Sequence, residues 1–323
     1  MKKALVFGGC GHVGSFLAPR LVDMGYEVHV VSRGNRGPYT YEDMPQWEKV
    51  HFHVMDRRNA EDRYAAGNLA LEIRPDVICD LISYNREEIE GLMVPILKDE
   101  ELCKNLHVVQ VGTVWVYEMK FYVPVTEDHP RTTDDAYGVG KAAVEEYLHG
   151  LSKAGKIKST VIFPGHISGK YWTPINPQGN VSDDVYRNII EGKPVVLPDE
   201  GHHTLHHVHS SDIAGLIAAC LENPEKSNGE TFHATTEKAV TLSGLTWMLY
   251  KHFGHEPKIE YTPMANLAGV LSAEDYRDTT RHLRFCSQCS MEKAKRVLGF
   301  VPKYNTMDII VEYIEYQQKL GNL

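Results

Sequence analysis

The stretch Ala4-Leu-Val-Phe-Gly-Gly-Cys-Gly-His-Val-Gly14 constrains the fold more than any other: a short apolar run opens onto glycines at 8, 11 and 14, and a helical pattern follows. The run reads as a buried strand. Three glycines so spaced give a tight turn, a close backbone approach to an anion and close packing of the next helix, whose first amide N–H groups point at that anion. The pattern alone is weak, and its setting decides. Further apolar runs at 28–31, 50–54, 77–82, 108–111 and 160–163 read as strands, with helical patterns at 13–24, 60–73, 87–98 and 137–154 between several of them. This alternation predicts an α/β fold, a Rossmann-type doubly wound parallel sheet that binds its ligand beyond the carboxyl ends of the strands. After Phe163 come Pro164-Gly165 and a proline-broken stretch, then helical patterns at 183–191, 212–221, 242–253, 291–298 and 307–318. The expected division is a dinucleotide-binding domain over 1–165 and a smaller substrate-binding lobe over 166–323, with part of 204–234 returning to the sheet.

Within that frame Gly8, Gly11, His12, Val13 and Gly14 are expected to hold a diphosphate. Strand two ends in Val31-Ser-Arg-Gly-Asn-Arg36, where an acidic residue would grip the ribose of NAD. None is there. Ser32 and Arg33, with Arg36 beside them, suit a 2′-phosphate, so NADP(H) is expected to be preferred over NAD(H). Strand three ends at Asp56-Arg57, both expected at the cofactor, with Asp56 placed to accept from an adenine amino group; strand four ends at Asp80-Leu81-Ile82-Ser83, whose backbone should run beside the cofactor. Downstream, Tyr137 and Lys141 stand four apart and share a helical face. At an effective dielectric of about 20, a charge about 4 Å away is worth about 4 kcal/mol, which would lower a phenol pKa near 10 by roughly three units. Tyr137 is therefore expected to exchange protons near neutrality.

Composition narrows the partners. A net charge of −9 argues against a general nucleic-acid or anionic-membrane surface. No apolar run approaches the roughly 20 residues a membrane span needs. Six cysteines scattered without a recognisable secretory signal predict reduced thiols and a cytoplasmic location. Cys286-Ser-Gln-Cys289, a lone CxxC, is given no role. In Gly201-His-His-Thr-Leu-His-His-Val-His209, His207 and His209 would face one side of a strand and His206 the other, so no metal is expected there.

Taken together, Gly8 to Gly14, Asp56, Tyr137-Gly-Val-Gly-Lys141, Pro164-Gly165, His209-Ser-Ser-Asp212-Ile-Ala and Lys295-Arg-Val-Leu-Gly-Phe-Val-Pro302 resemble, over nearly the whole chain, the extended short-chain dehydrogenase/reductase family. That family includes nucleotide-sugar epimerases, dehydratases and ketoreductases. The resemblance implies that Tyr137 is the catalytic acid/base, that Lys141 holds the nicotinamide ribose, that Pro164 lies at the cofactor, and that Thr113, in Val111-Gly-Thr-Val-Trp-Val-Tyr117, binds the reacting oxygen. Departures matter too. Val114 and Trp115 follow Thr113 where dehydratases carry an acid, so dehydration is not expected. Leu205 stands near the position of a diphosphate-clamping arginine, and Arg281 or Arg284 could supply only one guanidinium. A smaller hydroxylated substrate touching Trp115, His166 and His207 is therefore expected. The implied function is an NAD(P)-dependent epimerase or reductase acting on a secondary alcohol or ketone of a sugar or sugar-like molecule. The alternative is a non-catalytic NAD(P)-binding regulator or an RNA-binding relative. A small carbohydrate-like substrate is the expected partner, with no nucleic acid and no membrane, and a homodimer is left open.

Overall fold

Six parallel strands follow the first half of the chain: β1 (Lys3–Phe7), β2 (Glu27–Ser32), β3 (His51–Val54), β4 (Val77–Asp80), β5 (His107–Val111) and β6 (Lys158–Pro164). They lie side by side in the order β6-β5-β4-β1-β2-β3, every pairing parallel. This computed structural model describes all residues except number 60, so the expected helix start at Ala60 lies outside the described residues. The order reverses at β1, and a crevice opens there between β1 and β4. Ala4 to Phe7, Ile78, Cys79, Val108 and Val109 are wholly buried. Burial on both sheet faces is why these strands read as unbroken apolar runs.

The connecting helices are α1 (His12–Asp23), α2 (Ala65–Ile73), α3 (Arg86–Ile96), α4 (Glu100–Asn105) and α5 (Ala136–Lys153). The second half adds β7 (His166–Ser168), α6 (Asp184–Ile190), β8 (Val195–Pro198), β9 (Thr204–Leu205), β10 (His207–His209), α7 (Ser210–Glu222), α8 (Pro224–Ser227), β11 (Glu230–Ala234), β12 (Val240–Thr241), α9 (Leu242–His252), β13 (Ile259–Thr262), α10 (Ala273–Phe285), α11 (Glu292–Leu298) and α12 (Thr306–Leu320). β11 pairs with β6 as a seventh strand, and α7 packs with α1 on one face of the sheet. α2, α3 and α5 cover the other face. A separate core gathers Tyr186, Leu245, Leu249, Leu283, Ile310 and Tyr313 from α6, α9, α10 and α12.

Three of these helices, α4, α8 and α10, lack a counterpart in the sequence reading; α8 is a single four-residue turn. α4 is short, six residues started by the Asp99 carboxylate. α10, Ala-Glu-Asp-Tyr-Arg-Asp-Thr-Thr-Arg-His-Leu-Arg-Phe, buries only Thr279, Leu283 and Phe285, so its apolar stripe is too sparse to register as a period. Its start was nonetheless written in the sequence: Ser272 caps the amide of Asp275 at 3.0 Å, with Glu274 and Asp275 in the first turn.

Candidate active site

The turn between β1 and α1 forms because only glycine fits it. Gly8 has φ +82°, and a Cβ there would lie 2.6 Å from Ile82 Cγ2. A Cβ on Gly14 would overlap the carbonyl oxygens of Gly8 and Gly9. α1 then begins with no side-chain cap and no acidic residue in its first turn, leaving its first amides to an incoming anion. His12, packed between Tyr39 (4.5 Å) and Trp172 (3.7 Å), has a buried Nε2 with no partner in the protein. Burial and then Arg36 push its pKa down to about 3, so it is neutral. Two cavities, ≈ 340 and ≈ 510 Å³, share Gly8, Gly11, Ile82 and Tyr84 in their walls. An uncapped helix start, a cradle no side chain can enter and paired cavities on either side of it fit an elongated dinucleotide.

The smaller cavity is lined by Ser32, Arg33, Arg36, Asp56, Arg57 and Arg58 at the ends of β2 and β3. Asp56 is held as a carboxylate, first by the Asn59 side chain at 2.9 Å and then by the Arg58 amide. Arg57 was expected to serve the cofactor, but its guanidinium is engaged within the protein. It pairs with buried Asp80 at 3.1 Å and donates to Ser83 Oγ at 2.6 Å and the Glu88 carbonyl at 2.9 Å. Burial favours protonation of Asp80, yet Arg57 and Ser83 outweigh it and keep that carboxyl below its ordinary range. Arg33, Arg36 and Arg58 are all exposed here; Arg58 pairs with Glu88 at 2.8 Å and Arg36 lies 4.1 Å over the Tyr39 ring.

Thr113, Tyr137, Pro164 and His166 line the larger cavity together with His12, Val13, Gly14, Leu81 and Ile82. Asp135 caps α5 by accepting the amides of Tyr137 (3.1 Å) and Gly138 (3.3 Å), which fixes Tyr137 in the first helical turn. Thr113 lies two residues beyond β5, buried, its Oγ accepting the Trp115 amide at 3.2 Å. Lys141 is one turn further along and 1% exposed. Its Nζ donates to the Val111 carbonyl at 2.7 Å and lies 4.8 Å from the Tyr84 ring and 5.8 Å from the Tyr137 ring. The shared face is therefore present, but the expected electrostatic consequence is not. Burial, then Tyr84, pushes the Tyr137 phenol up to about 12, against a smaller lowering by the Thr113 hydrogen bond. Burial also pushes Lys141 down to about 7. Desolvation outweighs attraction because the ammonium turns to the β5 carbonyl rather than to the phenol oxygen.

On the far wall, Trp115 stacks on Phe285 (4.5 Å) and meets Tyr137 edge-on (6.0 Å). His166 lies 6.0 Å from His282 and 6.4 Å from Trp115, and burial holds its pKa well below the usual imidazole range. His207, expected at the substrate, is wholly buried behind His166 at 5.9 Å, with Nε2 on the Ile175 carbonyl at 2.9 Å. β10 pairs in register with β7, so His166 takes the wall and His207 the interior. The other histidines of 202–209 disperse. His206 bonds the Thr236 carbonyl (2.7 Å) and accepts the Cys289 amide (3.1 Å), while His209 bonds Ser211 (2.6 Å) and Glu312 (2.9 Å). Leu205 is core. Arg284 is tied to Glu118 and Asp134, whereas Arg281, half-exposed, lies 5.0 Å over Trp115 and 3.8 Å from Asp135. Among the wall residues that sequence reasoning missed are three ring-bearing ones, Tyr84, Trp172 and His282, which arrive from a strand-end loop, a proline-rich loop and α10. Only α10 had a readable signal, its Ser272 cap.

The doubly wound sheet with its glycine turn after β1 is that of the extended short-chain dehydrogenase/reductase enzymes. The NAD dependent epimerase/dehydratase family matches residues 4–234, and the chain belongs to that family. It is 29% identical over 316 residues, 95% of this chain and 77% of the other, to the chloroplast stem-loop binding protein of 41 kDa b of Arabidopsis thaliana. Among solved structures it resembles Pal from Bacillus thuringiensis, at 18% identity over 98% of this chain and 99% of that one, with a TM-score of 0.74. It also resembles the UDP-glucose 4-epimerase of Thermotoga maritima, solved with UDP-glucose, at 21% identity over 99% of each chain, with a TM-score of 0.72. At these identities the solved structures establish the fold alone.

Proposed function

We propose that the protein is an NAD(P)-dependent epimerase or reductase acting on a secondary alcohol or ketone of a sugar or sugar-like substrate, with Tyr137 as acid/base. The observation that carries this reading is the position of Tyr137, beside Thr113 in a cavity whose opposite wall is the glycine turn. The dinucleotide supplies the hydride acceptor or donor. Thr113 Oγ holds the reacting oxygen, and the Tyr137 oxygen takes its proton on oxidation and returns it on reduction. Lys141 contributes to holding the dinucleotide and, when charged, favours the phenolate. Residues 1–165 serve the dinucleotide and 166–323 the substrate, with part of 204–234 completing the sheet. The test is Tyr137→Phe: turnover should fall about 10²- to 10⁴-fold while dinucleotide affinity stays within about twofold. Near-normal turnover would overturn the proposal.

Preference for NADP(H) rests on Arg33, exposed just beyond β2 in the wall of the smaller cavity, and on the lack of an acidic residue there. Calorimetry should find NADP(H) tighter by roughly ten- to a hundredfold, a charged hydrogen bond being worth about 1.5–3 kcal/mol, with Arg33→Ala narrowing the gap. Equal affinities in the wild type would refute it.

The likeness to a chloroplast stem-loop binding protein favours a second reading, an RNA-binding chain that keeps the dinucleotide fold. The net charge of −9 opposes it. Salt-sensitive binding of a stem-loop RNA, undiminished in Tyr137→Phe, would decide for it.

A further inference from the structure

Before they reach the smaller cavity, β2 and β3 carry four chemistry-bearing side chains on one face. His29 stands opposite His51, and Val31 opposite His53, in a parallel ladder. Side chains alternate along a strand, so Glu27 and His29 on β2 share a face with His51 and His53 on β3. The opposite face is apolar: Val28 and Val30 join the core with α1, and Phe52 stacks on Trp47 at 5.8 Å. On the polar face His29 Nε2 lies 2.9 Å from Glu27 Oε1, and His29 Nδ1 lies 3.0 Å from His53 Nε2. The His29 and His51 rings stack at 4.8 Å. One ligand atom each from Glu27, His29 and His51 falls within 4.8 Å of the others.

From this arrangement we infer that Glu27, His29 and His51 form a binding site for a divalent transition-metal ion of the zinc class, held by a carboxylate and two imidazoles with a fourth position open to water. Zinc takes nitrogen and oxygen ligands at about 2.0–2.2 Å, which puts neighbouring ligand atoms roughly 3.3 Å apart in a tetrahedron. The Glu27–His29 pair is already near that spacing. His51 is exposed, so turning its ring toward the pair needs no repacking. His29, 9% exposed, is the fixed member. With Nε2 on the metal, its Nδ1–H donates to His53 Nε2, the outer contact that sets the tautomer and orientation of a ligating imidazole. Two other charges face the cluster. Lys3 Nζ, from β1, lies 3.7 Å from Glu27 and is the cation an ion would displace, and Glu72, from α2, acts on His53. Bound there, the ion cross-links edge strand β3 to β2.

The test uses the full chain stripped with a chelator and titrated with zinc chloride by calorimetry, and with cobalt chloride by visible absorption. One ion should bind, cobalt should give the intense d–d bands of four-coordination without thiolate charge transfer, and the melting temperature should rise. His51→Ala and Glu27→Gln should each weaken zinc at least tenfold, whereas His202→Ala, an exposed histidine elsewhere, should leave it unchanged. Lack of zinc binding, affinity unmoved by His51→Ala and Glu27→Gln, or a thiolate band pointing to Cys286 would each overturn the assignment, leaving Glu27, His29 and His53 a hydrogen-bonded chain with His51 stacked beside it.

Discussion

Lys141 is the residue on which local chemistry and stability pull in opposite directions. Its ammonium is wholly buried, and burial moves its pKa from the ordinary 10.5 to about 7. Between those values the unfolded chain binds a proton that the folded chain does not. Stability therefore rises as pH increases from about 7 towards 10.5, and this contribution is lost on acidification through the same window. Lys141→Met should remove that slope. Urea unfolding of cofactor-free protein at about pH 7.5 and about pH 9.5 checks it, with the wild type gaining more stability than the variant at the higher pH. Equal gains would mean that the ammonium keeps its water. At this scale the sequence was informative where spacing carries the chemistry: Tyr137 and Lys141 on one helical turn, Thr113 just beyond a strand, glycines at 8, 11 and 14. It gave the wrong direction for the phenol's pKa, because that depends on burial, on Tyr84 and on where the Lys141 side chain turns, all set by tertiary packing.

Helix α5 shows how glycine reads differently along one element. A Cβ on Gly138 would lie 2.7 Å from the Trp115 carbonyl oxygen and 2.6 Å from Thr133 Cγ2, so the helix can approach the Trp115 segment only with a bare Cα. Gly140 meets the Tyr84 carbonyl in the same way. At Gly150 a Cβ would meet nothing within 4 Å. Gly138→Ala is expected to cost about 1–3 kcal/mol by overpacking, whereas Gly150→Ala should add about 0.5–1 kcal/mol by raising helix propensity. Urea midpoints of the two variants should move in opposite directions; movement in the same direction would refute the packing argument. Elements with strong periods, such as β1 and α1, were legible to within a residue or two. α10 was not, since tertiary contacts at three positions hold it rather than a continuous stripe.

For the whole molecule, the inventory of guanidiniums around the larger cavity decides what kind of substrate it grips. Leu205 is in the core and Arg284 is committed to Glu118 and Asp134, which leaves Arg281 alone. A single guanidinium facing a diphosphate forgoes about 1.5–3 kcal/mol relative to a pair. In a thermal-shift panel with cofactor present, free sugars, aldonates and glycosides should stabilise the protein at least as well as UDP- and dTDP-sugars. A large shift from a UDP-sugar at micromolar concentration would instead assign the diphosphate a clamp that the arginines do not reveal.

The cavity wall has two authors. Trp115 and Tyr137 come from the strands and helices that surround the dinucleotide cradle, while His282 comes from α10, more than a hundred residues later, on a helix whose start depends on one serine. Mutations in that helix can alter what enters the cavity without touching the proton-handling tyrosine or the glycine turn. A lineage carrying this fold is thus free to change diet while keeping its chemistry, and the divergence of its members should be written in the segment 273–285 before it is written in 137–141.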